Sequence, residues 1–322
     1  EAMAAADIAI VVAPPEPERA ASLAPYFKFL DDRKIPHALF VNRVDEANAR
    51  IRDVMEALQA ASTRPLVLRQ APIREGETIV GAVDLVSERA WKYREGKQAE
   101  LIEIPDDETL LREAEAREAM LDALADFDDA LMEQILEDKI PPSETIFEVM
   151  KKELREDLIV PVLLGAAARG NGVTRLFKLL RHESPTVEAA AARLGLAKGG
   201  ATLLSVVRTV HAPHIGKLSY ARIWRGAVKD GDAVNGGRIS GMLSINGEER
   251  AKCKDAAVGD IVALPKLDHL NTGDLIIDGR INSGDLRIAP PPPVYSLAIR
   301  PKNEKDDVKL SAALARLMDE DA

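Results

Sequence analysis

Cysteine is almost missing from this chain. Cys253 is the only one in 322 residues, so no disulfide can close within it. Long apolar runs are missing as well: none approaches the roughly 18 residues of a membrane-spanning helix, and no signal peptide opens the sequence. A cytoplasmic protein without membrane contact is the expectation. Positive charge is in deficit, with 53 acidic against 43 basic side chains and a formal net charge of −10 at pH 7. That excludes a nucleic acid wrapped by bulk electrostatics, DNA included, and leaves local contacts between a mosaic surface and RNA. Aromatic residues make up only 4%. Trp91 and Trp224 have no aromatic row beside them and read as core residues rather than base-stacking platforms.

What is present is an ordinary composition, 46% hydrophobic and 30% charged, with length for two or three domains and substantial cores. The chain opens on Glu1 rather than Met, which suggests a beginning inside a longer sequence. Its most informative stretch runs from Leu39 to Asp45, an apolar run that stops in Asn42-Arg43-Val44-Asp45. Leu39 to Val41 read as the end of a buried parallel strand, and open α/β sheets bind ligands beyond the carboxyl ends of their strands. There the Asp45 carboxylate can accept two parallel N–H bonds from the N1 and 2-amino edge of guanine, a donor pair that adenine lacks. Asn42 can brace the loop or the base. Taken alone, the stretch also reads as a strand followed by a capping turn.

Along the chain, Ala9 to Ala13 suit a central parallel strand, closed by Pro14, Pro15 and Pro17. Helices are expected from about Glu18 to Arg33 and Ala47 to Ala61, with Pro65 to Leu68 as a further strand; this alternation is the α/β signature. Ile159 to Leu164 form a second strand that exits into Gly165-Ala166-Ala167 and then an amphipathic helix with Leu176, Phe177 and Leu180. Between the two exits lie short strands at Ile79 to Val86 and Arg89 to Tyr93, then one long helix with apolar residues Leu110, Ala114, Leu121, Leu124, Leu131 and Ile135 at helical spacing. Around that stripe cluster Glu113, Glu115, Glu118, Asp122, Asp126, Asp128 and Asp129, a solvated face or a docking surface for a basic partner. After a linker with a possible short helix at Glu188 to Leu196, β-rich runs separated by glycine turns from Leu203 to Leu264 read as a small β-barrel. Pro290 to Pro293 form a stiff spacer, followed by a strand at Tyr295 to Ile299 and a helix at Val308 to Met318.

This order of segments resembles elongation factor G, a translational GTPase, from near residue 1 to residue 322. Asn42-Arg43-Val44-Asp45 stand where that family has N-K-x-D, and Gly165-Ala166-Ala167 where it has G-S-A. Gly81 to Leu85, Glu103 to Pro105 and Asp128 to Glu133 are similar to the subdomain inserted into its G domain. Arg225 to Asp232 resemble its barrel, and Ala298 to Lys302 with Leu310 to Leu317 the opening of its third domain. Related ribosomal GTPases such as the class II release factor are the runners-up.

The resemblance implies a multidomain α/β plus β protein. Residues 1–184 would be the later part of a P-loop-type GTPase sheet with an α+β subdomain inserted at about 66–156, 185–200 a linker, 201–289 a translation-factor β-barrel and 290–322 the start of a ferredoxin-like α+β domain. Asp45 would bind guanine, Asn42 would support base and loop, Arg43 would lie over the purine face, and the Gly165 to Ala167 turn would present backbone N–H groups to guanine O6. Ala166 replaces the usual Ser, a hydrogen bond worth ~1 kcal/mol. No G-x-x-x-x-G-K-[ST] occurs, Gly216-Lys217 being a near miss, and the family's switch Thr, D-x-x-G and catalytic His would precede Glu1. The expectation is therefore a piece of a divergent elongation factor G-like protein: GTP or GDP with Mg²⁺ in the whole protein, no tightly bound nucleotide and no catalysis in this chain alone. Implied partners are the ribosome's small-subunit RNA, through the barrel, and a stalk protein, through the acidic inserted helix; a non-hydrolysing ribosome-binding paralogue is the alternative.

Other constellations read structurally. His211 and His214 lack a third ligand and suit loop histidines rather than a metal pair. Cys253 lies between Lys252 and Lys254, which could lower its pKa, but has no partner base. Asp106-Asp107 and Asp128-Asp129 fit helix entries.

Overall fold

The computed structural model describes residues 1–47, 49–94, 96–196, 199–247, 249–282, 286 and 293–321. In chain order, helix α1 (Ala2–Ala5) precedes strand β1 (Ala9–Ala13), α2 (Ala24–Asp32), β2 (His37–Val41), α3 (Ile51–Gln59) and β3 (Leu66–Leu68). Then come β4 (Gln70–Glu75), β5 (Thr78–Asp84), β6 (Arg89–Lys92), β7 (Glu100–Ile102), α4 (Asp107–Ala125), α5 (Asp129–Leu136), α6 (Ser143–Arg155), β8 (Val160–Leu164) and α7 (Val173–Glu183). The chain divides into two units, one of residues 7–186 and one of 1–6 with 187–322. Among the described residues no helix is long and apolar enough to cross a membrane.

In the unit of residues 7–186, four parallel strands lie in the order β1-β2-β8-β3. β2 and β8 are buried at all five positions, the pattern of parallel strands covered on both faces. β1 departs from expectation: it forms an edge, pairing with β2 alone among the described residues, and its Val12 is 55% exposed. A short apolar run marks a strand but not its neighbours. Ala38, Phe40, Leu163 and Leu179 join one core beneath α6 and α7.

The inserted segment is an antiparallel meander, β4-β5-β6-β7, packed on α4, α5 and α6. β4 starts one residue after β3 ends. In that junction Arg69 N–H still donates to Val162 C=O at 2.9 Å, and the Gln70 side-chain oxygen accepts the Leu164 N–H at 2.9 Å. Gly81 is required in β5 because a Cβ there would lie 2.3 Å from the Trp91 carbonyl oxygen. The expected single long helix is two, since Asp128 caps a new start by accepting Leu131 N–H at 3.1 Å. The buried stripe of α4 is also displaced from expectation. Thr109, Glu113, Arg117, Met120 and Leu124 face inward, whereas Leu110 is 49% exposed and Ala114 is exposed too. Met120 and Leu124 fix the helix phase against the meander, and Glu113 and Arg117 follow on the same face.

The second unit begins, after α1, with α8 (Val187–Arg193), β9 (Leu203–Ala212), β10 (Gly216–Arg225), β11 (Val228–Lys229), β12 (Ala233–Val234), β13 (Gly237–Arg238) and β14 (Leu243–Asn246). It continues with β15 (Glu249–Lys252), β16 (Asp255–Ala256), β17 (Ile261–Pro265), β18 (Leu275–Ile277), β19 (Arg280–Asn282) and α9 (Asp307–Glu320). Seven strands form one antiparallel sheet in the order β15-β14-β17-β10-β9-β18-β19, with β11-β16 and β12-β13 as separate ribbons. They enclose a shared core of Val206, Ile223, Met242, Val262 and Ile276; no pair closes β15 onto β19 among the described residues. Trp224 is buried and donates to Ser205 Oγ at 2.8 Å.

Most of the expected proline spacer, residues 290–292, lies outside the described residues. The strand expected at Tyr295 to Ile299 does not form. Residues 293–300 have no ladder partner among the described residues, and a strand exists only where a neighbour takes its backbone groups. α9 forms where periodicity places it.

Candidate nucleotide-binding site

Register brings the two strand exits together. Val41 of β2 pairs with Leu164 of β8, so the turns after them emerge side by side at the carboxyl edge of the sheet. Backbone bonds then stitch the turns: Asn42 N–H donates to Ala13 C=O at 2.9 Å, Gly165 N–H to Val41 C=O at 2.9 Å and Val44 N–H to Gly165 C=O at 3.1 Å. The Asn42 side-chain oxygen accepts Ala167 N–H at 2.8 Å. Asn42 therefore acts as a brace between loops 125 positions apart.

Two glycines make the second loop possible. A Cβ on Gly165 would lie 2.4 Å from Phe40 Cζ and 2.6 Å from the Asn171 carbonyl oxygen. Gly172 has φ +78°, and its Cβ would meet the Leu164 carbonyl oxygen at 2.3 Å. Between them Ala166 is buried and bridges Asn171. One expectation is corrected here. The amides of Gly165, Ala166 and Ala167 are already given to Val41, Asn171 and Asn42, so a ligand oxygen would have to compete for them.

Arg43 has left-handed backbone, φ +59°, and reaches Glu16 at 3.4 Å rather than lying across the loop mouth. The Asp45 side chain is only 10% exposed, and its Oδ2 lies 2.9 Å from Arg169 Nε. Sequence reasoning does not single out Arg169. Its one signal is a basic residue four positions after Gly165, which acquires meaning only once β2 and β8 are known to be neighbours.

A separate polar cluster lies near the amino end of β2. Asp31, His37 and Asp157 bring ligand-type atoms within 4.8 Å of one another, the one such group among the described residues. Its outer valences are used: Thr63 Oγ1 donates to Asp31 at 2.5 Å, Arg64 to Asp157 at 3.0 Å, and His37 Nδ1 lies 2.9 Å from Ile35 C=O. Burial lowers the His37 pKa, against the Ile35 bond and the Asp31 charge. A guanidinium already sits on Asp157, while Asp31 Oδ1 and His37 Nε2 are buried with no hydrogen-bond partner among the described residues.

His211 lies within β9, not in a loop, with Nε2 3.0 Å from Asp319. His214 occupies the following turn at φ +66°. Cys253 behaves oppositely to expectation: burial and then Asp230 and Asp255 raise its pKa, against a backbone hydrogen bond. Asp106 and Asp128 cap α4 and α5.

Residues 204–279 match the family described as Elongation factor G domain 2, and residues 290–322 the one described as Elongation Factor G, domain III. The chain is 42% identical over 322 residues to an elongation factor G-like protein of Synechocystis sp., covering 99% of this chain and 48% of that protein. It is 31% identical over 316 residues to elongation factor G of Chlamydia caviae, covering 89% and 45%. A crystal structure of a Thermus thermophilus protein superposes with a TM-score of 0.80 at 26% identity, over 99% of this chain and 48% of that one. The chain thus spans about half the length of the curated relatives it matches. A parallel GTPase-type sheet bearing an insert, followed by an antiparallel β unit, defines a translation-factor architecture. Within that class the chain is similar to elongation factor G and elongation factor G-like proteins along its whole length.

Proposed function

We propose that Asn42, Arg43, Asp45 and the Gly165 to Ala167 turn form the base-recognition half of a guanine-nucleotide site in an elongation factor G-like protein. One observation carries the reading: the Asn42–Ala167 bond locks the two turns side by side and leaves the Asp45 carboxylate, an acceptor matched to the guanine N1 and 2-amino donors, at their shared edge. Its present partner is itself an N–H donor, so the chemistry of the position fits the base. Asp45 selects guanine, Asn42 holds the turn that faces the base, and Arg43 swings from Glu16 to cover the purine. The nucleotide supplies the phosphoanhydride whose cleavage, with Mg²⁺, would drive the whole protein; the phosphate-holding motif does not occur in this chain.

In the whole protein this site would accompany cytoplasmic work on the ribosome, the movement of tRNA and mRNA. The β unit would meet small-subunit RNA, and exposed Glu115, Glu118, Asp122 and Asp126 of α4 a basic stalk protein. Titration of the intact protein with fluorescent GDP tests the site: Asp45→Ala should weaken binding more than tenfold, and equal affinity for ADP and GDP would refute it. Glu118→Lys with Asp122→Lys should weaken stalk-protein binding, and no change would remove that assignment.

A second reading, a paralogue with weak nucleotide binding, is favoured by the Asp45–Arg169 contact and by Ala166.

A further inference from the structure

Away from the two loops, α6 and α7 border an open cavity of about 350 Å³. Arg175, Lys178 and His182 recur on α7 at spacings of three and four, so they share one face, and all three line the cavity. Lys151 of α6 stands on the opposite wall, and Arg69 joins the lining from the junction between β3 and β4. Four formal cations thus meet two carboxylates in the lining, Glu148 and Glu183.

The carboxylates do not satisfy these cations. Glu148 pairs with Lys151 at 3.0 Å and Glu183 with Arg69 Nη1 at 2.8 Å. Arg69 is nevertheless 2% exposed with a buried Nε that has no hydrogen-bond partner among the described residues, a donor whose desolvation is costly. Lys178 and His182 meet no carboxylate among the described residues. Arg175 is held from behind by Asp84. Burial, and next the like charge of Arg69, push the Arg175 pKa down to about 10, against the pull of Glu183. Two crowded guanidiniums, a vacant donor and two unpaired basic side chains call for an anion with several acceptor oxygens.

We infer that the cavity between α6 and α7 binds a phosphate dianion, free or as a small phosphate ester. With Asp84 counted on Arg175, one formal positive charge remains beyond the three carboxylates, and the planar forks of Arg69 and Arg175 suit tetrahedral phosphate oxygens better than a lone carboxylate. The volume lies at the small end for ligand pockets and admits a sugar-sized substituent beside the phosphate. No residue of the proposed guanine site lines it, so the inference stands independently of that reading.

The test is calorimetric titration of this chain with inorganic phosphate and with glycerol 3-phosphate, against chloride at matched ionic strength. Saturable binding of either phosphate is expected. Lys178→Glu with His182→Ala, both at exposed positions that should fold normally, should weaken it at least tenfold, and Asp45→Ala should leave it unchanged. A preference for glycerol 3-phosphate would identify an ester site, and equal or better binding of inorganic phosphate a site for the free ion. Absence of saturable binding, insensitivity to the Lys178 and His182 changes, or loss with Asp45→Ala would each overturn the inference.

Discussion

Glu153, on α6, offers a quantitative test of how this protein is stabilised. Its side chain is fully buried, neither carboxylate oxygen has a hydrogen-bond partner among the described residues, and burial raises its pKa from an ordinary 4.5 to about 8. Asp128 pushes the same way and Lys152 opposes it. Between these two values the native state holds a proton that the unfolded chain releases, so stability falls as pH rises through this window and is flat outside it. Each pKa unit corresponds to about 1.4 kcal/mol, which caps the effect at roughly 4–5 kcal/mol, a large part of a typical domain's stability. Glu153→Gln removes the titration and keeps the shape. Urea unfolding followed by Trp91, in a Trp224→Phe background so that only this unit reports, should give the variant a stability relative to wild type that climbs by about 1 kcal/mol per pH unit from pH 5 to 8. A difference independent of pH across that range would refute the argument.

Arg169→Gln should free the Asp45 carboxylate. The pair is half exposed on its basic side, so the gain is at most ~1 kcal/mol, read as a rise of about fivefold or less in affinity for fluorescent GDP in the intact protein; unchanged affinity would mean that Arg169 does not compete for the carboxylate. Gly165→Ala would drive a methyl into Phe40 and the Asn171 carbonyl. A loss of about 1–3 kcal/mol is expected in the same Trp91 urea assay, and wild-type stability would contradict the close approach.

The strand exits were legible because burial on both faces leaves β2 and β8 almost uniformly apolar, a signal that needs no knowledge of neighbours. The insert's outer strands were not. β4 contains Pro72 and β7 is only Glu100–Ile102, and both owe their form to ladder partners. For α4 the apolar count misled, because Glu113 and Arg117 occupy inward positions and Leu110 an outward one. Phase is set by what the helix packs on, not by its own composition. In the candidate site, Asn42 and Asp45 could be named from the chain, whereas the Arg169 contact and the prior engagement of three loop amides arise from adjacency alone.

The junction at Arg69 and Gln70 has a mechanical meaning. A single residue separates β3 from β4, its amide still bonded to β8, and the next side chain supplies the rung to Leu164. The insert is spliced rather than hinged at its entry. A force applied to the meander has no slack segment in which to dissipate, and it arrives as a displacement at Leu164, directly before Gly165. Gln70 is thus the coupling pin through which a load on the insert would be felt at the turn that starts with Gly165.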